Sequence, residues 1–210
     1  MESIDPAAPR DKRTVILDSA GAAFARHGYE GASMSAITRD AGVSKATVYH
    51  HFASKAALFG AYVQRECQRT LTPLFQNLTH HTDPAAAMRN IGLRMMDFLL
   101  SPTCLAIDRV VATEATAFPE LAQAFFDAGP RQGIATMAQW LREQDTAGRL
   151  AVPDAEFAAE QFFALCQTRV AMRCRLRLGP PVQPDAVERV VDAAVTMFLN
   201  TYGRSPGLRT

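Results

Sequence analysis

Tryptophan occurs once in this 210-residue chain and cysteine four times, at Cys67, Cys104, Cys166 and Cys174, with no C-x-x-C pair among them. Cysteines so sparse and scattered exclude a disulfide-stapled scaffold and a thiolate zinc site, and predict reduced, mostly buried thiols. Long apolar runs are also missing. Arg, Asp or Gln interrupts each one short of the eighteen or so residues that cross a bilayer, and Met1 to Pro9 lacks the apolar stretch of a secretory signal. A cytoplasmic protein without a membrane partner is expected. No G-x-S-x-G elbow, H-E-x-x-H pair or Gly-rich phosphate loop occurs, so no enzymatic activity, catalytic residue, cofactor or metal is predicted. The adjacent His80 and His81 lack the spacing of three or four that metal ligands on a helix need, and read as a polar loop. Nor does one sign of charge dominate. The net charge is +1, and residues 1–55 hold seven Lys or Arg against six Asp or Glu, with fifteen of each in the remainder. A strongly basic nucleic-acid coat is excluded, although all three lysines, Lys12, Lys45 and Lys55, fall in the first part. Alternating apolar and polar positions are absent throughout, which predicts an all-α fold.

What is present is helical period. Ile16, Ala20, Ala23, Phe24 and His27 share one face of a first helix that Gly28 ends, and Tyr29 returns an aromatic ring to the core. Ser33 suits the cap of a second helix over Met34 to Ala41. Then comes AGVSKATVYHHFASK, Ala41 to Lys55. Gly42 can take the left-handed conformation that closes one helix, and Ser44 can cap the next about two residues later. The third helix is short, with Val48 and Phe52 as its inward stripe, so neighbours must hold it in place. Its outward face carries Lys45, Thr47, Tyr49 and His50: one cation, a hydroxyl, a phenol and an imidazole, all able to bond phosphate oxygens or base edges. That pattern is a helix-turn-helix with a DNA recognition helix. Ser54 caps a fourth helix through Phe75 and Leu78, with Pro73 a candidate kink.

The run G-x-x-x-x-S-M-S-A-I-T-R-D-A-G-V-S-K-A-T-V-Y-H-H-F-x-S-K-x-x-L-F resembles the N-terminal domain of the tetracycline-repressor (TetR) family of bacterial regulators over residues 12–60. Thr38 and Ala46 depart from the residues usual there, Ala and Gly. The resemblance implies DNA contacts from Ser33, Ser44, Lys45, Ala46, Thr47, Tyr49, His50 and Lys55. Helix N-termini at Ser33 and Ser44 would anchor phosphates, while Lys45, Ala46 and Thr47 would read bases. The expected division is a helix-turn-helix domain over 10–55 and a larger helical ligand-binding and dimerisation domain over 56–203.

Beyond His81 the pattern gives helices over 85–100, 103–117, 119–128 and 131–144, and two long ones over Asp154–Leu178 and Asp185–Tyr202. The last two carry more apolar positions than one buried side needs. A partner subunit docked on them is expected, with a monomer burying both helices as the alternative. The segment from about Phe98 to Leu178, including LLSPTCLAIDRVVATEATAFPELAQAFF, is similar to the C-terminal domain of the AefR-like branch of the same family. That resemblance again implies a homodimer through the last two helices. Met95, Met96, Phe126, Met137, Trp140 and Phe163 are candidates to line a pocket for an unidentified small-molecule effector, since Met and aromatic residues adapt to varied ligands; taken singly, each is more often plain core. Arg169 and Arg173, on a stripe with Arg177, would hold an anionic group or pair with Asp108 or Glu114 if they face inward, or form a solvated edge. The function expected is a regulator, a repressor rather than an activator, that binds a palindromic operator on double-stranded DNA and is released by its effector.

Overall fold

The computed structural model describes residues 11–78, 83–180 and 182–204. The stretches before Asp11 and around His80 and His81, the latter expected as a polar loop, lie outside the described residues. Eleven α-helices account for the described fold: α1 Lys12–Gly31, α2 Met34–Asp40, α3 Lys45–His51, α4 Lys55–Leu78, α5 Pro84–Leu99, α6 Pro102–Glu114, α7 Pro119–Ala128, α8 Pro130–Thr146, α9 Ala155–Gln167, α10 Val170–Arg175 and α11 Pro184–Tyr202. Among the described residues the only extended pairing is an isolated antiparallel bridge between Leu150 and Gly203. No described helix is long and apolar enough to cross a membrane.

Short polar side chains start most helices by accepting the N–H groups that a first turn leaves without a partner. Ser33 takes Ala36 N–H at 3.1 Å, Ser54 takes Ala57 N–H at 3.0 Å, Ser101 takes Cys104 N–H at 3.2 Å and Asp154 takes Phe157 N–H at 3.0 Å. Asp83 does the same for Ala85 at 3.0 Å, ahead of Pro84 in the first turn, where a missing N–H costs nothing.

The chain forms two compact units. The first takes the residues up to Arg65 together with Arg109–Ala128; the second takes Glu66–Asp108 and the chain from Gly129 onward. The first unit therefore reaches ten residues past the boundary expected at 55, and includes a second stretch that sequence spacing gave no reason to place there. Its core is Ile16, Leu17, Phe24, Tyr29, Ile37, Val48, Phe52, Leu58 and Phe59, all buried. Phe24 meets Phe59 edge-to-face at 5.1 Å and Tyr29 meets Phe118 at 5.3 Å, the offset geometry that ring quadrupoles favour. Val48 and Phe52 are the inward stripe that the third helix was expected to have.

In the second unit α5, α8, α9 and α11 enclose Met88, Ile91, Met137, Leu141, Phe162 and Phe198. Gly92 lets α5 close on its neighbours: a Cβ there would lie 2.7 Å from Val191 Cγ1 and 3.2 Å from Cys166 Sγ. The single long helix expected over Asp154–Leu178 is broken. Thr168 leaves the helix, its hydroxyl donating to the carbonyl of Leu165, and Arg169 turns to φ 64° and ψ −40° before α10 begins. No Gly or Pro marks the break, so the apolar period ran on across it. Cys104 and Cys166 are buried and Cys67 and Cys174 partly so. Burial pushes the thiols of Cys104 and Cys166 up to about 12 and that of Cys67 to about 11, which keeps them protonated and poor nucleophiles.

Candidate nucleic-acid interface

The site grows from the turn between α2 and α3. Gly42 sits at φ 64°, where a side chain would be strained, and its N–H bonds the Arg39 carbonyl at 3.1 Å while Val43 N–H reaches back to Thr38 at 3.3 Å. Two residues later Ser44 Oγ accepts Thr47 N–H at 3.1 Å and lies 2.8 Å from the Thr47 hydroxyl. With its start fixed, α3 buries Val48 completely and turns Lys45, Ala46, Tyr49 and His50 to solvent; Thr47 is half-buried beside its cap. Tyr49 leaves 46% of its surface exposed, far more than a ring that seals a core, and the Lys45 ammonium stands 5.8 Å from the centre of that ring. A cation, a phenol and an imidazole on one open helical face, with only the short Ala46 between them and a groove floor, make a surface suited to phosphates and base edges.

Lys55 stands elsewhere. Its ammonium donates to the carbonyls of Tyr29 at 2.6 Å and Glu30 at 3.2 Å and lies 4.4 Å over the Tyr29 ring. Burial lowers its pKa, with Glu114, Glu30 and Glu120 pulling in the opposite direction. The charge expected to meet a phosphate is engaged instead in holding the end of α1 against the start of α4. The reason lies at Gly28, where φ 71° and ψ −175° interrupt the helix and leave the next backbone groups without helical partners.

A residue that the sequence did not link to this turn completes it. Glu114, at the end of α6, accepts Tyr29 N–H at 2.7 Å on one oxygen and Glu30 N–H at 2.5 Å on the other. Lys55 thus satisfies the carbonyls, and Glu114 the N–H groups, of the same two residues. Eighty-five positions separate Glu114 from Tyr29, and no local motif joins them. Tyr29, at the centre, is almost fully buried, and burial with Glu120 and Glu114 nearby pushes its phenol up to about 12.

The residues expected to line an effector pocket do not form one site. Met95, Met96, Met137 and Trp140 are buried members of the second unit's core and Phe163 packs against it, whereas Phe126 is exposed and belongs to the first unit. For Met95, Met96, Met137 and Trp140 packing makes the plain core that large apolar residues more often form. Arg169 and Arg173 are exposed, and line an open groove in the second unit with a volume of about 1460 Å³. Among the described residues no three His, Cys, Asp or Glu side chains gather as metal ligands.

Comparison with known proteins agrees with this geometry. Residues 16–62 match the family description "Bacterial regulatory proteins, tetR family", and residues 86–204 match "AefR-like transcriptional repressor, C-terminal domain". The chain is 36% identical over 92 residues to the HTH-type transcriptional activator FasR of Mycolicibacterium smegmatis, covering 43% of this chain and 42% of that one. It is 35% identical over 69 residues to the transcriptional repressor AcnR of Corynebacterium efficiens, 33% and 37% of the two chains. The matched stretch thus spans less than half of these curated relatives. Solved structures extend the likeness: a TetR-family regulator from Mesorhizobium loti superimposes with a TM-score of 0.79 at 26% identity, over 92% of this chain and 97% of the other. The flavonoid-responsive regulator FrrA does so with a TM-score of 0.74 at 30% identity, over 91% and 97%.

Proposed function

We propose that this chain, which belongs to the tetR family of bacterial regulatory proteins and carries an AefR-like C-terminal domain, is a homodimeric repressor that binds a palindromic operator through α3 and is released by a small-molecule effector. DNA binding and transcriptional regulation come with the family; the dimer, the palindrome and the release are our reading. The observation that carries it is the open face of α3, where Lys45, Ala46, Tyr49 and His50 project from a helix fixed by Ser44 at one end and by Val48 beneath. Phosphate contacts from Tyr49 and His50 would set register, and Lys45, Ala46 and Thr47 would meet base edges. Dimerisation is supported by large apolar side chains left open on the last helices, Phe157 on α9 and Met197 on α11, each more than half exposed. A two-fold dimer places two copies of α3 in successive major grooves about 34 Å apart. An effector releases DNA to the extent that it binds better to the form with misplaced recognition helices. That one similar regulator is named flavonoid-responsive supports an effector of some kind for this chain.

The activator FasR among the relatives favours one further reading, in which the same contacts activate because the operator lies elsewhere. Selection of bound duplexes from a random pool, with the full chain, tests the proposal. Two inverted half-sites centred one helical turn apart, or a multiple of it, are expected; an enriched site with no inverted repeat would overturn it. A reporter carrying the selected site at the promoter then reads repression or activation.

A further inference from the structure

The third helix ends among rings. His50 and His51 stand edge-to-face with centres 5.4 Å apart, His51 meets Phe52 at 6.1 Å, and the Arg13 guanidinium lies 5.6 Å from the centre of the Phe52 ring. At that range the ring face attracts a cation. Phe52 is buried, and its N–H on the Val48 carbonyl at 2.9 Å closes α3. Arg13, in the first turn of α1, is therefore set at the C-terminal end of α3, although it is distant from that helix in sequence.

Several other cations of this unit are already engaged. Arg65 pairs with Asp18 at 2.8 Å and donates to the Thr14 carbonyl at 3.3 Å, Arg39 stands 3.5 Å from Asp40, and the Lys55 ammonium is held by the Tyr29 and Glu30 carbonyls. Arg13 is exposed, and its guanidinium has no hydrogen bond or ion pair among the described residues. Asp11, two positions before it, accepts the Arg13 backbone N–H at 3.3 Å instead. Arg26 belongs to the far part of the same helix, about 20 Å away along its axis.

We infer that Arg13, held on the Phe52 ring, binds a DNA backbone phosphate where α3 leaves the major groove. This rests on the reading of α3 as the DNA-reading helix. Recognition helices present their N-terminal residues to base edges, so the opposite end rises toward the sugar-phosphate strand that borders the groove. From Lys45 to Phe52 the helix covers about 10 Å, close to the roughly 12 Å width of that groove. A cation fixed past the last turn falls at the rim, where phosphates lie, and a guanidinium offers a planar fork to two phosphate oxygens. The ring behind it restricts the side chain before DNA arrives, which lowers the ordering cost of binding. Such a contact holds α3 at a fixed depth and carries no base preference.

Fluorescence anisotropy of the full chain on its selected operator, and on a scrambled duplex of equal length, tests this from about 50 to 200 mM salt. Arg13→Gln should weaken binding to both duplexes by the same factor. Two copies act in the proposed dimer, so the slope of log affinity against log salt should become shallower by about two, and the native chain should lose about tenfold more affinity than the variant across that range. Arg13→Lys keeps the charge and should restore the slope; Arg13→Met covers the Phe52 ring without charge and should not. Lys12→Gln, a neutralisation one residue away on a different face of α1, should shift the slope far less. Native affinity and slope in Arg13→Gln would overturn the inference, and so would a loss confined to the operator, which would make the residue a base reader. Native binding by Arg13→Met would assign Arg13 to packing, and equal losses in Lys12→Gln and Arg13→Gln would leave only net charge; either result overturns the inference. A native chain that binds neither duplex sinks the reading of α3 and this inference with it. Weakened Lys45→Ala beside an unchanged Arg13→Gln sinks this inference alone.

Discussion

Replacing Glu114 should loosen the first compact unit although the residue lies 85 positions from the turn it serves. Its carboxylate accepts two backbone N–H groups, those of Tyr29 and Glu30. Hydrogen bonds to charged groups contribute roughly 1.5–3 kcal/mol each. Tyr29 is buried, so its N–H finds no water in exchange; Glu30 is exposed, so its N–H does. Counting the first bond fully and the second at a small fraction, Glu114→Ala should cost about 2–4 kcal/mol of the roughly 5–15 kcal/mol that holds a typical domain together. Glu114→Gln should fall between, because the amide offers one acceptor and turns its NH₂ toward the other N–H. Urea titration read by far-ultraviolet circular dichroism measures the loss. Fluorescence separates the units, since the single tryptophan, Trp140, belongs to the second. The loss should appear in the dichroism transition first. A Glu114→Ala chain within about 0.5 kcal/mol of the native one, the usual size of an inconsequential surface change, would refute the reasoning.

Lys45 and Lys55, alike in sequence as flanking cations, should behave differently on DNA. Lys45→Ala should weaken binding, relax the preference at one base position and lower the slope of log affinity against log salt, because a cation that reads a base leaves the DNA face. Lys55→Met should lower the stability of the first unit and leave that slope unchanged, because its ammonium is already held by the Tyr29 and Glu30 carbonyls; gel shifts at several salt concentrations decide. Alkaline pH should act through Tyr29, whose folded pKa of about 12 exceeds the ordinary 10.0. Below pH 10 that contribution is fully present, and it is lost as pH rises toward 12, because the unfolded chain releases the phenolic proton first. Lys55, with a lowered folded pKa, changes stability in the opposite sense and finishes by its ordinary 10.5. Tyr29→Phe should therefore flatten the fall in stability above pH 10, measured by urea midpoints across that range.

The parts legible in the sequence were those whose cause is local. Gly42 and Ser44 specify a turn and a cap within three residues, and Val48 and Phe52 a buried stripe within five, so α3 and its outward face could be read directly. Long-range partners left no such trace. Glu114 looked like a partner for Arg169 or Arg173 rather than for Tyr29 and Glu30, and Lys55 was indistinguishable from a phosphate ligand until its ammonium was seen on the Tyr29 carbonyl. Met95, Met96, Met137 and Trp140 have the chemistry of a pocket and of a core alike, and only burial separates the two. At Thr168 and Arg169 the helix breaks without Gly or Pro, against the period of its apolar residues.

The return of the chain to its first unit at Arg109 carries a consequence for modularity. A fragment cut after Arg65 would keep every residue of α3 and lose Glu114 and Phe118, the carboxylate and the ring that close over Tyr29. The N-terminal segment is therefore not a cassette. Recombination that moved it onto another effector domain would leave two N–H groups without their acceptor unless the new host supplied its own carboxylate at the end of a returning helix. Transplanting this DNA-reading head means moving two separate pieces of sequence together.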